Sequence, residues 1–184
     1  RRPGSVSDAD GGAAFTSSGY PNAPRLNVDF HTYAFDTPDV DRVIFLRYAL
    51  TNASTSIMRN IRVGLFADWD IGNYEDNTVA YSASDSILYA FSPSETDTYP
   101  YVAIAHMGRI SSALAIDNAY EGPPDSLRFG SYFSPSNLVF DGFTLPEKTG
   151  SLRAGTLFTE VSGSDIAMVT ASGPFTVEPG QTLV

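Results

Sequence analysis

The chain has 184 residues, 42% hydrophobic and 17% charged, enough for one sizeable domain with a packed core and too apolar for global disorder. Eleven basic residues against 21 acidic ones leave a net charge of −10, which repels phosphate backbones and anionic membranes, so neither nucleic acid nor membrane insertion is expected, and divalent cations are attracted. The absence of cysteine rules out disulfides, thiolate metal sites and a cysteine nucleophile, and no apolar run approaches the ~20 residues of a membrane-spanning helix. Tyr, Phe, Ser, Thr, Gly and Pro are plentiful, a balance that favours strands and turns over helices.

Residues 1–24 are rich in Gly, Ser, Asp, Ala and Pro and are expected to form a flexible N-terminal segment, or a strand donated to another copy, with Phe15 and Tyr20 as its contact side chains. Arg1-Arg2-Pro3-Gly4 leads into polar residues rather than the apolar stretch of a signal peptide, so a processed form or a piece of a longer chain is expected. Residues 25–184 read as a single β-sandwich domain. Leu26, Val28 and Phe30 alternate with Asn27, Asp29 and His31, the pattern of a half-buried strand. Val43 to Thr51 is apolar on both faces apart from Arg47, which suits a central or covered strand. Asn52-Ala53-Ser54 matches the glycosylation acceptor pattern, a short motif that recurs by chance.

Ile61, Val63 and Leu65 then form a strand in which Gly64 signals a bulge or a close approach by another backbone. Short strands follow at Val79–Tyr81 and Ile87–Phe91, then at Tyr99–Met107, where alternating alanines suggest tight packing, and at Ser111–Ile116. Gly122-Pro123-Pro124 is a firm break, Asp125 is placed to cap a short helix, and Asp141-Gly142 is a turn signal. The strand pattern returns at Thr156–Val161, Ile166–Ala171 and Phe175–Val177, punctuated by Ser172-Gly173-Pro174 and Glu178-Pro179-Gly180. About nine strands without amphipathic helices between them give an all-β, antiparallel β-sandwich, jelly-roll-like or Ig-like, with long loops.

The chemistry-bearing stretch lies between two strands. Asp68, Asp70, Asn73, Asp76 and Asn77 surround Trp69, the one tryptophan, and Asp117 with Asn118 ends a later strand. Calcium takes six to eight oxygen ligands with tight backbone bends between them. Carboxylates two apart followed by Gly72 offer that, and Asp117-Asn118 would complete the cage from across the sheet. The spacing is not that of an EF-hand, because glycine comes too early and Val79 stands where a bidentate glutamate would be. The competing reading is a set of turns built by Asp and Asn on their own backbone. Neither a Gly-x-Ser-x-Gly elbow nor a His-Glu-x-x-His motif is present, and an enzyme is not expected.

Gly64-Leu65-Phe66-Ala67-Asp68-Trp69-Asp70-Ile71-Gly72 with Asp76-Asn77 and Tyr81 resembles a β-rich, non-catalytic module of large secreted bacterial proteins, among them subtilisin-like proteases and proteins with type IX sorting tails. Tyr101 to Ala105, Ala115-Ile116-Asp117-Asn118, Ser164 to Val169, Gly173-Pro174-Phe175 and Pro179-Gly180 fit the same pattern, which spans roughly residues 40–184. The resemblance implies a structural or adhesive module that is secreted or cell-surface attached. Its partners would be other domains of a longer exported chain or identical subunits. Two alternatives stand beside it: a filament subunit assembling by strand donation, and a carbohydrate-binding module using exposed aromatics.

Overall fold

The computed structural model describes residues 6–94, 101–118, 149–153, 155 and 161–184. The fold is all-β, built from antiparallel sheets in a sandwich-like arrangement. The described strands are β1 (Ala9–Thr16), β2 (Leu26–Ala34), β3 (Ile44–Asn52), β4 (Met58–Asp68), β5 (Asn77–Ser82), β6 (Ile87–Phe91), β7 (Val102–Ala105), β8 (Ser112–Asp117), β9 (Val161–Ser164), β10 (Ile166–Val177) and β11 (Thr182–Leu183). By contacts the chain divides into two compact units, Arg1–Ile61 with Phe175–Val184, and Arg62–Pro174. The expected helix cap at Asp125, the turn at Asp141-Gly142 and most of the strand expected at 156–161 lie outside the described residues.

The first unit carries the sheet β1-β2-β3-β11. Residues 1–24, read from composition as a loose segment, contain β1, which pairs with β2 from Ala9 opposite Ala34 to Thr16 opposite Asn27. Its Ala-Gly-rich sequence has no apolar alternation, so the strand left no periodic signal. β3 is central as expected, lying between β2 and β11, and Arg47 is exposed. Ile44 and Leu46 are nevertheless 68% and 44% exposed.

Asn52 organises the end of this sheet. It is fully buried and every polar atom of its side chain is bonded: Nδ2 donates to Ser56 O and Val177 O at 2.8 and 2.9 Å, and Oδ1 accepts from Ser54 N and Oγ at 2.9 and 2.7 Å. Its backbone N–H donates to Gln181 O, and its carbonyl accepts from Gly180 N. The residue of the acceptor motif is therefore a tie between two turns, with no room for a glycan.

The second unit holds two sheets, β7-β6-β5-β9 and the β10-β8 pair joined by β4. Alternation on β5 and β6 sends Val79, Leu88 and Ala90 inward, each at 0% exposure, against Ala115 of β8 and Ile166 and Met168 of β10. Burying a side chain of this size stabilises the fold by about 1.5–3 kcal/mol. β8 and the first half of β10 are buried on both faces, as their unbroken apolar runs require. The close approach signalled by Gly64 is present: a Cβ there would run into Leu152 Cδ2 and sit 2.7 Å from Thr170 O.

Two local expectations change. Ser172-Gly173-Pro174 does not end a strand, because β10 continues through it to Val177. Ser172 Oγ instead donates to Arg109 O at 3.0 Å, a bond to a neighbouring segment rather than within a turn. On β7, Val102 and Ile104 pack against the core while Ala103 and Ala105 are exposed, so the alanines mark the outer face and not a tight interior one.

Candidate cation-binding loop cluster

β4 delivers the chain to Asp68, and β5 begins nine residues later at Asn77. The loop between them is built around Asn77. This side chain is fully buried; Oδ1 accepts from Ile71 N at 3.0 Å, and Nδ2 donates to Ile71 O at 2.7 Å and Asn73 O at 2.9 Å. Ile71, 6% exposed, anchors the loop in the core. Gly72 supplies the positive φ of 60° that the bend needs. A single turn of 3-10 helix, Tyr74–Asp76, follows, with Asn73 Oδ1 accepting from Glu75 N at 3.4 Å. Asp76 Oδ2 accepts from Ser94 N at 3.3 Å and from Ser94 Oγ.

The fold thus puts the predicted ligands to different uses. Asn73, Asp76 and Asn77 build the loop and tie it to residues 92–94, as Asp and Asn do in turns. Asp70 is exposed. Asp68 instead meets the end of β8. Asn118 Nδ2 donates to Asp68 Oδ1 at 3.4 Å and to Asp165 Oδ1 at 3.1 Å, and its N–H donates to Asp165 O at 2.9 Å. Ser164 Oγ donates to Asp117 Oδ1. Of the pair Asp117-Asn118, Asn118 thus reaches Asp68 from across the sheet while Asp117 bonds Ser164, and Ser164 and Asp165 join the cluster although they stand outside the carboxylate spacing of residues 68–77. Their signal was weak: a Ser-Asp pair directly before the apolar run of β10.

Asn118 Oδ1 is buried and has no hydrogen-bond partner among the described residues, and Trp69 Nε1 shares that condition. A buried orphan oxygen is costly, by about 1–3 kcal/mol. Here it belongs to an amide already bonded to two carboxylates, and carboxylate and amide oxygens are the donor set of a hard cation. Asp68, Asp117, Asn118 and Asp165 fit calcium in donor chemistry. Among the described residues, no three His, Cys, Asp or Glu side chains converge on one point as a ready-made cage.

Other polar and aromatic groups are accounted for locally. His106 lies between Ser172 Oγ, 2.9 Å from Nδ1, and Thr170 Oγ1, 2.7 Å from Nε2. Because Ser172 gives its proton to Arg109 O, Nδ1 carries the hydrogen and Nε2 accepts from Thr170. Burial holds the His106 pKa below its ordinary value. On the outer face of β6, Phe91 stacks with both Tyr89 and Tyr101, the closest ring centroids 4.9 Å apart, and Tyr89 meets Tyr101 at a tilt. Phe15 and Tyr20 are 56% and 74% exposed; Phe15 faces Val28 across the ladder, and Tyr20 N donates to Ser17 O.

The chain matches no known family model and no curated protein.

Proposed function

We propose that this chain is a non-catalytic structural module of a secreted or cell-surface bacterial protein, and that a calcium ion held by Asp68, Asp117, Asn118 and Asp165 clamps the loop end of its sandwich. The observation that carries this reading is the meeting of Asp68, Asn118 and Asp165, contributed by the end of β4, the end of β8 and the turn before β10. Three segments converge there, the end of β8 and the turn before β10 also sharing the backbone bond from Asn118 N to Asp165 O, and among the described residues one of the side chains keeps an unused buried oxygen. Turning the Asn118 amide by half a turn presents Oδ1 to the carboxylates, an arrangement that only a cation between them favours. The secreted setting rests on the resemblance of roughly residues 40–184, centred on Gly64 to Gly72, to modules of exported bacterial proteins.

Thermal unfolding in calcium and in chelator tests the reading. Calcium at 100 times its dissociation constant should stabilise the native state by about 2.7 kcal/mol. Asp68→Ala and Asp165→Ala should remove that increment, whereas Asp70→Ala should leave it intact. A wild-type Tm that is the same in calcium and chelator would refute the clamp, and an increment lost only in Asp70→Ala would move the site to the loop tip.

A further inference from the structure

We infer that a groove in the first unit, lined by Arg25 and Arg59, binds a peptide segment that carries carboxylates beside aliphatic side chains. This goes beyond the calcium clamp and does not depend on it.

The groove follows from strand register. Leu26 opens β2 opposite Asn52 at the end of β3, so the residues before Leu26 lie beside those after Asn52. Ala53 N donates to Arg25 O at 2.9 Å and holds the two segments together. Between them and the start of β4 lies a cavity of about 690 Å³, inside the ~300–1,000 Å³ range of ligand sites. All of its lining falls between Ala23 and Ile61, within one compact unit. Two ties fix the walls before any ligand arrives. The buried Asn52 side chain accepts from Ser54 N and donates to Ser56 O, while Ser17 Oγ donates to Pro24 O and accepts from Leu26 N at 2.9 Å. Walls held in this way keep the ordering cost of binding low.

The occupant follows from charge and from the apolar half of the lining. Arg25 and Arg59 line the groove, and no Asp or Glu does. Both arginines are exposed, and neither guanidinium has a hydrogen-bond or ion-pair partner among the described residues. The acidic excess of the chain belongs to the other unit: the first unit has six basic and seven acidic residues, the second five and 14. In a nearly neutral unit, two unpaired guanidinium groups set the sign of the groove. Each presents a planar fork of N–H donors that matches a carboxylate with two parallel bonds. Beside them, Ile57 is 41% exposed and Met58 7%, with Ala23 and Pro24 across the groove, a surface that gains by covering with aliphatic carbon. No aromatic residue lines the groove, so it offers no stacking platform for a nucleobase or a sugar ring. An inorganic anion would leave the apolar half uncovered. A peptide that alternates acidic and aliphatic side chains matches both halves.

Fluorescence anisotropy of a dye-labelled peptide alternating Glu and Leu, titrated with the full chain, reads the binding. Wild type should bind it with a dissociation constant below ~1 mM and should bind the Gln-Leu counterpart about tenfold or more weakly. Arg25→Ala and Arg59→Ala should each weaken the Glu-Leu peptide about five- to tenfold at an unchanged Tm, since both side chains are exposed. Ile57→Ser should weaken it less, by about threefold. Arg47→Ala, an exposed arginine of the same unit outside the groove, should leave binding at wild type. Equal affinity for the Glu-Leu and Gln-Leu peptides, or no binding of either, would overturn the proposal. So would an affinity unchanged in both groove arginine variants, which would place the contact elsewhere. Displacement of the peptide by equimolar inorganic phosphate at constant ionic strength would reduce the groove to a simple anion site and overturn the peptide assignment.

Discussion

The β8–β10 pair and the β1-β2-β3-β11 sheet are both made of extended, apolar-rich chain, and they end in opposite conditions. Ile116, Ile166 and Met168 are at most 1% exposed, while Ile44, Leu46 and Phe15 are 44% exposed or more. What separates them is company, not composition. β8 and β10 carry the apolar runs 113–116 and 166–169, buried on both faces, and meet Val79, Leu88 and Ala90 of a second sheet. β1, β2 and β3 are joined by pairing register, and β1 has all its residues exposed while β2 and β3 are mostly half-buried or exposed. Backbone hydrogen bonds define a sheet; a second layer decides whether its apolar residues contribute stability.

The sharpest way to break this comparison is a pair of truncations. Ile116→Ala, in the buried strand, should cost about 2–5 kcal/mol by transfer and cavity terms. Leu46→Ala, in the exposed sheet, should cost about 0.5 kcal/mol or less by denaturant unfolding. Equal costs would mean that the β1–β3 face is covered in solution. A second pair sharpens the packing half of the argument. Gly64→Ala should destabilise by about 1–3 kcal/mol, because Thr170 O belongs to a backbone that cannot step aside. Gly108→Ala, with nothing within 4 Å of the added carbon, should be neutral.

The smallest effect concerns His106. Its pKa is lowered in the fold by burial, so below the ordinary value of about 6.5 the unfolded chain binds a proton that the folded chain resists. Stability contributed by neutral His106 is full above that value and is lost as pH falls beneath it. Wild type should therefore lose more stability than His106→Asn just below pH ~6.5. Parallel curves for the two proteins would show that the Thr170 and Ser172 bonds do not select the neutral ring.

Strands with strict alternation or unbroken apolar runs were legible in the sequence, because period and length are local properties. β3, β6 and β8 fall within a residue of where the pattern puts them, and β2 begins at Leu26 as expected and runs on past the alternation to Ala34. β1 was not legible, since Ala and Gly carry no period and pair through backbone alone. β10 was read as two strands because Gly173-Pro174 is a turn signal whose meaning depends on the neighbours. The loop chemistry was half legible. Clustered Asp and Asn residues marked the loop after β4, and Asp117-Asn118 was expected to reach it from across the sheet, as Asn118 does with its bond to Asp68. The sequence could not show that Asn77 is fully buried and that all its bonds go to the loop backbone, because burial of a polar side chain is set by the whole fold. The same blindness hid Asn52 behind a glycosylation pattern.

The central claim is that the meeting point of Asp68, Asn118 and Asp165 holds a cation. Isothermal titration of the metal-free protein with calcium tests it most directly. One site per chain, absent in Asp68→Ala and retained in Asp70→Ala, is the result expected. No binding heat at any temperature, or a site untouched by Asp68→Ala, would contradict the account.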